Sequence, residues 1–190
     1  VGTTGPANEA PPPEDVLATT SLRSDPEPSP RAASTIGVAF RGTLDGATAA
    51  PAFGPSASFT LGLGERFVAG IDVAYFRVAL ADSTQATVQH APGTAWFALS
   101  FGRSVAFSVG TYATADLKLA STDALTKTAL GVEVGPMLRL RIPLAGDFGF
   151  VVRANGGYRV RRQQFVFDRT TVDDGSFAAS AETGVDFRWR

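Results

Sequence analysis

The chain has 190 residues, with 17 basic and 18 acidic side chains, a formal net charge of −1, and no cysteine. Near-neutrality leaves no electrostatic footprint for a nucleic-acid backbone, and the absence of thiols excludes disulfide scaffolds, thiolate metal sites and cysteine nucleophiles. A single histidine excludes multi-histidine metal centres, and no apolar run reaches the roughly 18 residues that a membrane-crossing helix needs.

Residues 1–33 hold seven of the twelve prolines and none of the nineteen aromatics. Their five acids (Glu9, Glu14, Asp15, Asp25, Glu27) outnumber two bases, Arg23 and Arg31. Such a segment buries too little apolar area to offset its ordering entropy, so an extended or disordered tail is expected. No basic-then-apolar leader pattern follows Val1, and the chain does not begin with Met, as expected after removal of a leader or in a fragment.

From Ser34 the pattern alternates with period two, the signature of strands. The first run puts Ile36, Val38, Phe40 and Leu44 on one face and Arg41 and Thr43 on the other. The second alternates Ala57, Phe59, Leu61 and Leu63 with small polar residues, and the third sets Phe67, Ala69, Ile71, Val73 and Tyr75 against Asp72. The fourth places Ala95, Phe97, Leu99 and Phe101 opposite Trp96, Ala98 and Ser100; the fifth places Val105, Phe107 and Val109 opposite Ser108, Gly110 and Tyr112. Leu130 to Ile142, Phe148 to Tyr158 and Phe177 to Trp189 supply three longer alternating runs. Eight strands and an all-β fold follow.

The apolar face of these runs carries no charge. The other face carries Arg41, Asp72, Glu133, Arg139, Arg141, Arg153, Arg159, Glu182, Asp186 and Arg188, among Gly, Ser, Ala and Thr. Small residues around a few charges suit the narrow interior of an eight-stranded barrel better than a solvated sheet face. Tight connections at Gly64-Glu65, Gly102-Arg103 and Pro143–Asp147 alternate with long polar ones near 45–55, 78–93, 114–127 and 162–176. That asymmetry, with aromatics such as Phe67, Tyr75, Phe101, Phe148, Phe177 and Trp189 near strand ends, is the pattern of a transmembrane up-and-down barrel. An even strand number puts both termini on one side. Pro136, on the outward face, lacks a ladder donor and predicts a local bulge.

On these residues the segment Ser34 to Arg190 resembles the small eight-stranded outer-membrane β-barrels, the OmpA-like and OmpW-like group. In that group the last strand ends in alternating apolar residues and a terminal aromatic; Val185, Phe187 and Trp189 follow the pattern, with Arg190 added after it. The resemblance implies a bacterial outer-membrane protein with both termini periplasmic, in contact with lipid and lipopolysaccharide, and with no cofactor.

The expected function is structural, anchoring or adaptor work. The ten lumen charges neutralise one another and fill the barrel, and residues 1–33 offer a leg to a periplasmic or outer-membrane partner. In the expected register Arg41 meets Glu182 or Asp186, and Glu133 lies diagonal to Arg159. Two alternatives stay open. One is a lipid-modifying enzyme using His90, expected in a loop, with Asp82, Ser83 or Ser121. The other is a soluble lipocalin-like carrier whose apolar face, including Phe59, Ile71 and Val134, turns inward. Asp168, Asp173 and Asp174 lack the spacing of a calcium loop, and the glycine pairs open no helix for a dinucleotide. Arg159, Arg161 and Arg162 form a basic cluster at the rim, suited to lipopolysaccharide phosphate.

Overall fold

The structure is a computed structural model that describes residues 2, 33–45, 51–79, 87–102, 104–121, 126–162, 164–167, 170–173 and 175–189. The expected tail therefore lies outside the described residues except for Gly2 and Ala33. The strands are β1 (Ser34–Asp45), β2 (Ala52–Leu63), β3 (Phe67–Ala74), β4 (Phe76–Ala79), β5 (Thr87–Phe101), β6 (Ala106–Ser121), β7 (Thr126–Pro143), β8 (Phe148–Arg161), β9 (Gln164–Phe167), β10 (Thr170–Asp173) and β11 (Phe177–Trp189).

Each long strand pairs antiparallel with its sequence neighbour, β11 pairs with β1, and β3 pairs with β5, so the sheet closes on itself. β3 and β4 keep a single register along β5, from Phe67↔Leu99 to Phe76↔His90, and form one strand interrupted at Tyr75. The result is a closed, antiparallel, eight-stranded barrel. Closure removes the unpaired edges that would otherwise invite association. Short turns at 64–66, 102–105 and 144–147 lie at the end where β1 begins, here the tail end. Gly64, Gly102 and Gly146 take positive φ there, the conformation tight turns demand. At the opposite, loop end, the stretch between β8 and β11 holds the separate β9–β10 hairpin, while β6 and β7 are joined by only four residues.

The alternation sorts the two faces of the wall. Val38 (64 % exposed), Ile71 (60 %) and Val134 (40 %) face outward, which contradicts the inward apolar core of a lipocalin-like carrier. Trp96, Met137 and Tyr112 are buried inside with the charged residues. The rings near strand ends, Phe67, Tyr75, Phe101, Phe148, Phe177 and Trp189, are all exposed on the outer wall.

Two expectations about the strands need correction. Residues 87–93 and 114–121, expected in loops, extend β5 and β6 toward the loop end. Polar and charged residues interrupt apolar alternation there, but cross-strand pairing continues from Gly93↔Ala115 to Thr87↔Ser121. The second concerns Pro136. Pairing of β7 with β8 skips it, yet the register is the same before and after, at Val134↔Tyr158 and Met137↔Asn155. The bulge lies instead at Val132/Glu133, where β8 holds one extra residue, Val160. A missing N–H leaves a gap in a ladder without lengthening a strand, whereas an inserted residue shifts it.

Candidate functional site: the charged lumen

The inward positions bring the charges into two groups. In the tail-end half, Asp72 is the hub. Arg41 Nη1 donates to its Oδ2 at 3.1 Å, Trp96 Nε1 donates to its Oδ1 at 3.1 Å, and Arg153 Nη1 reaches the same Oδ1 from the opposite wall. Arg153 Nη2 donates to Glu182 Oε2 at 2.8 Å, so one guanidinium joins two carboxylates. Closer to the tail end, Asp186 accepts from Arg139 Nη2 at 3.1 Å and from Arg141 Nε at 2.9 Å. The guanidinium carbons of Arg139 and Arg153 lie 5.7 and 5.9 Å from the Trp96 ring centroid, within cation–π range. Asp72 is 2 % exposed and Arg153 3 %, so these ions are shielded from solvent and held by paired charge.

Small residues make room for these long side chains. A Cβ on Gly70 would stand 2.4 Å from the Trp96 ring, so only glycine leaves room for the indole against β3.

In the loop-end half the ion-pair contacts are longer. Tyr112 Oη donates to Glu133 Oε1. His90 Nδ1 lies 3.3 Å from Asp116 Oδ2, and Lys118 Nζ lies 3.5 Å from the same oxygen. Arg41 Nη2 donates to Ser180 Oγ at 3.2 Å, its Nη1 to Thr94 Oγ1 at 3.1 Å, and Thr94 shares a hydrogen bond with Thr114. Between these groups lies a cavity of about 30 Å³, room for about two water molecules. Phe76, His90, Pro92, Asp116, Glu133 and Arg159 line it.

Arg41, Asp72, Arg139, Arg141, Arg153, Arg159, Glu182 and Asp186 are buried, while Glu133 and Arg188 are half-buried. Arg41 stands opposite Glu182 in the β1–β11 register, yet its ion pair is with Asp72, and Glu182 pairs with Arg153. Glu133 faces Arg159 directly, where a diagonal was expected, because the turn before β8 centres one residue later than Ala145, with Pro143 opposite Gly149.

His90 needs a correction of place. It lies in β5, buried in the lumen with Phe76 edge-on at 6.4 Å, and it faces away from the lipid side. Asp82 and Ser83 fall outside the described residues, and Ser121 ends β6. Arg159 is likewise a lumen residue, so the rim cluster reduces to Arg161 and Arg162, both exposed. Asp173 ends β10; Asp168 and Asp174 lie outside the described residues.

The sequence reading missed His90, Asp116 and Lys118 as lumen groups. Extending the parity of β5 from Trp96 through Thr94 and Pro92 to His90, and that of β6 from Tyr112 through Thr114 to Asp116 and Lys118, is the signal that finds them.

An apolar outer band, a closed ring of eight strands and a charged interior define the fold of the small outer-membrane β-barrels. Solved structures share it. OprG from Pseudomonas aeruginosa aligns with a TM-score of 0.65 at 10 % identity over 84 % of this chain and 96 % of that one. Neisserial surface protein A aligns at 0.57 and 11 % identity, covering 83 % of this chain and 97 % of that one. Ail, the attachment invasion locus protein of Yersinia pestis, aligns at 0.57 and 10 %, covering 83 % and 99 %. No protein-family model matches the sequence, and no curated protein sequence matches it.

Proposed function

We propose that the protein is an integral bacterial outer-membrane barrel with a structural, anchoring or adaptor role. Its lumen is a neutralising charge network and not a conduit or catalytic centre. The observation that carries this reading is the tail-end knot of Asp72, Arg41, Arg153, Glu182 and Trp96, which ties opposite walls together across the interior. A narrow barrel filled in this way gains rigidity and leaves little path for a solute. The outer wall meets lipid and lipopolysaccharide, both termini face the periplasm, and residues 1–33 hang there as a Pro-stiffened leg for a protein partner. Pro-rich segments suit docking because the extended form is partly pre-set.

The test has two arms. Refolded protein should migrate differently on gels before and after boiling, and should show no sustained conductance steps in planar bilayers. A soluble, detergent-free monomer or steady ion conduction would reject the reading. Deleting residues 1–33 should leave the heat shift intact and abolish co-purification with a periplasmic or outer-membrane protein. Unchanged co-purification would reduce the tail to a spacer, and loss of folding would make it part of the barrel.

A further inference from the structure

The bulge in β8 changes which way the strand's last residues point. Along β8, Arg153, Asn155 and Arg159 face the lumen, while Val152, Ala154 and Tyr158 face outward. Continued alternation would send Arg161 inward, two residues above Arg159. The extra residue at Val160 resets the parity: Glu133 pairs with Arg159, but the next residue of β7, Val132, pairs with Arg161. Directly opposed residues share a face, and Val132 belongs to the outward set of β7 with Leu130 and Val134, since it pairs with the exposed Ala115 on β6. Val160 and Arg161 are therefore exposed in succession. The bulge re-aims one arginine from the lumen to the outer wall.

From this placement, and resting on the membrane reading above, we propose that Arg161 and Arg162 bind the phosphate of an anionic lipid headgroup in the leaflet at the loop end. Just below them on the same wall, Tyr158 and Phe177 stack edge to face at 5.7 Å. Phe177 is 70 % exposed, the uppermost ring of β11, and marks the top of the apolar band. Arg162 Nη2 donates to Ser176 Oγ, which ties that arginine to the residue before Phe177. Arginine suits this level: its stem lies along apolar surface, and its planar fork matches two phosphate oxygens.

The charge around the site agrees. The carboxylates Asp72, Asp116, Glu133, Glu182 and Asp186 of β3, β6, β7 and β11 face the lumen, so none of these five competes for these guanidiniums on the outer wall. Arg161 has no carboxylate partner among the described residues. The turns of the tail end instead mix Glu65 and Asp147 with Arg66, all exposed.

The experiment titrates full-length protein in zwitterionic detergent with three probes: a bis-phosphorylated glycolipid, the same glycolipid dephosphorylated, and inorganic phosphate. The phosphorylated lipid should bind at least about tenfold tighter than the dephosphorylated one, and R161Q/R162Q should weaken it about tenfold per arginine. R77Q, a control on the exposed arginine of β4, should leave binding unchanged. Equal affinity for the two glycolipids, wild-type binding by the double variant, or an equal loss in R77Q overturns the proposal. Inorganic phosphate displacing the lipid at equimolar concentration also overturns it, leaving a soluble-anion site. Should R161Q/R162Q fail to show the heat shift, R161K/R162K replaces it, keeping charge but not the fork; it should retain only part of the affinity, and full retention overturns the bidentate site. Wild-type protein that shows the heat shift yet ignores the phosphorylated lipid sinks this proposal alone and leaves the membrane reading standing.

Discussion

The two halves of the lumen solve the same problem differently. In the tail-end half, Asp72 and Asp186 each accept from more than one donor, and Arg153 joins β8 to both β3 and β11. In the loop-end half, Asp116 meets His90 and Lys118 at 3.3 and 3.5 Å beside a water-sized cavity. Short, shielded contacts make a plug; longer contacts beside a cavity make a vestibule. Where a charge sits relative to solvent, more than how many charges there are, decides what each half contributes to stability.

Breaking the plug should have the largest effect. Asp72→Ala leaves Arg41, Arg153 and the Trp96 N–H without their common acceptor, and the expected loss is about 3–5 kcal/mol. Urea unfolding of the refolded barrel in lipid vesicles, followed by the gel heat shift, measures it. A loss below that of Asp116→Asn would make the loop-end half the stronger of the two.

Asp186→Ala removes the carboxylate shared by Arg139 and Arg141 nearer the tail end. It should cost about 3 kcal/mol in the same assay, and neutralising both arginines in the same chain should recover much of it. Recovery distinguishes stranded charge from lost packing.

Gly70→Ala tests the packing beneath the hub without touching a charge. Its new methyl would meet the Trp96 ring at 2.4 Å and the Phe59 carbonyl at 2.7 Å. Overpacking of this kind costs about 1–3 kcal/mol, and a shift in tryptophan emission should accompany it because the indole must move.

The smallest effect belongs to the vestibule. Asp116 has 22 % of its side chain exposed, and its asparagine still offers an acceptor to the buried Lys118, so Asp116→Asn should cost about 1–2 kcal/mol, less than Asp72→Ala. A cost equal to that of Asp72→Ala would mean that the two halves form one network.

Much of this architecture is written in local pattern. A strand's side chains alternate by geometry, so Ile36, Ile71 and Val134 outward and Arg41, Asp72 and Glu133 inward could be read residue by residue. Glycines at the three tight turns likewise act locally. The partners inside the lumen could not be read this way. Arg41 stands opposite Glu182 but reaches Asp72, two strands away along the wall. Arg153 spans the interior to that same carboxylate. Those choices depend on the tilt, stagger and diameter of the closed ring, which alternation does not encode.

The sequence by itself determined the all-β class, the strand count, the outward apolar band and the face on which each of the ten charges sits. Tertiary structure alone decided who pairs with whom, that β5 and β6 carry His90, Asp116 and Lys118 inside, and that Arg161 turns outward. The reason is physical: face is fixed by the dihedral geometry of one strand, whereas pairing and a one-residue bulge exist only between strands, when a neighbour's register makes an inserted residue count.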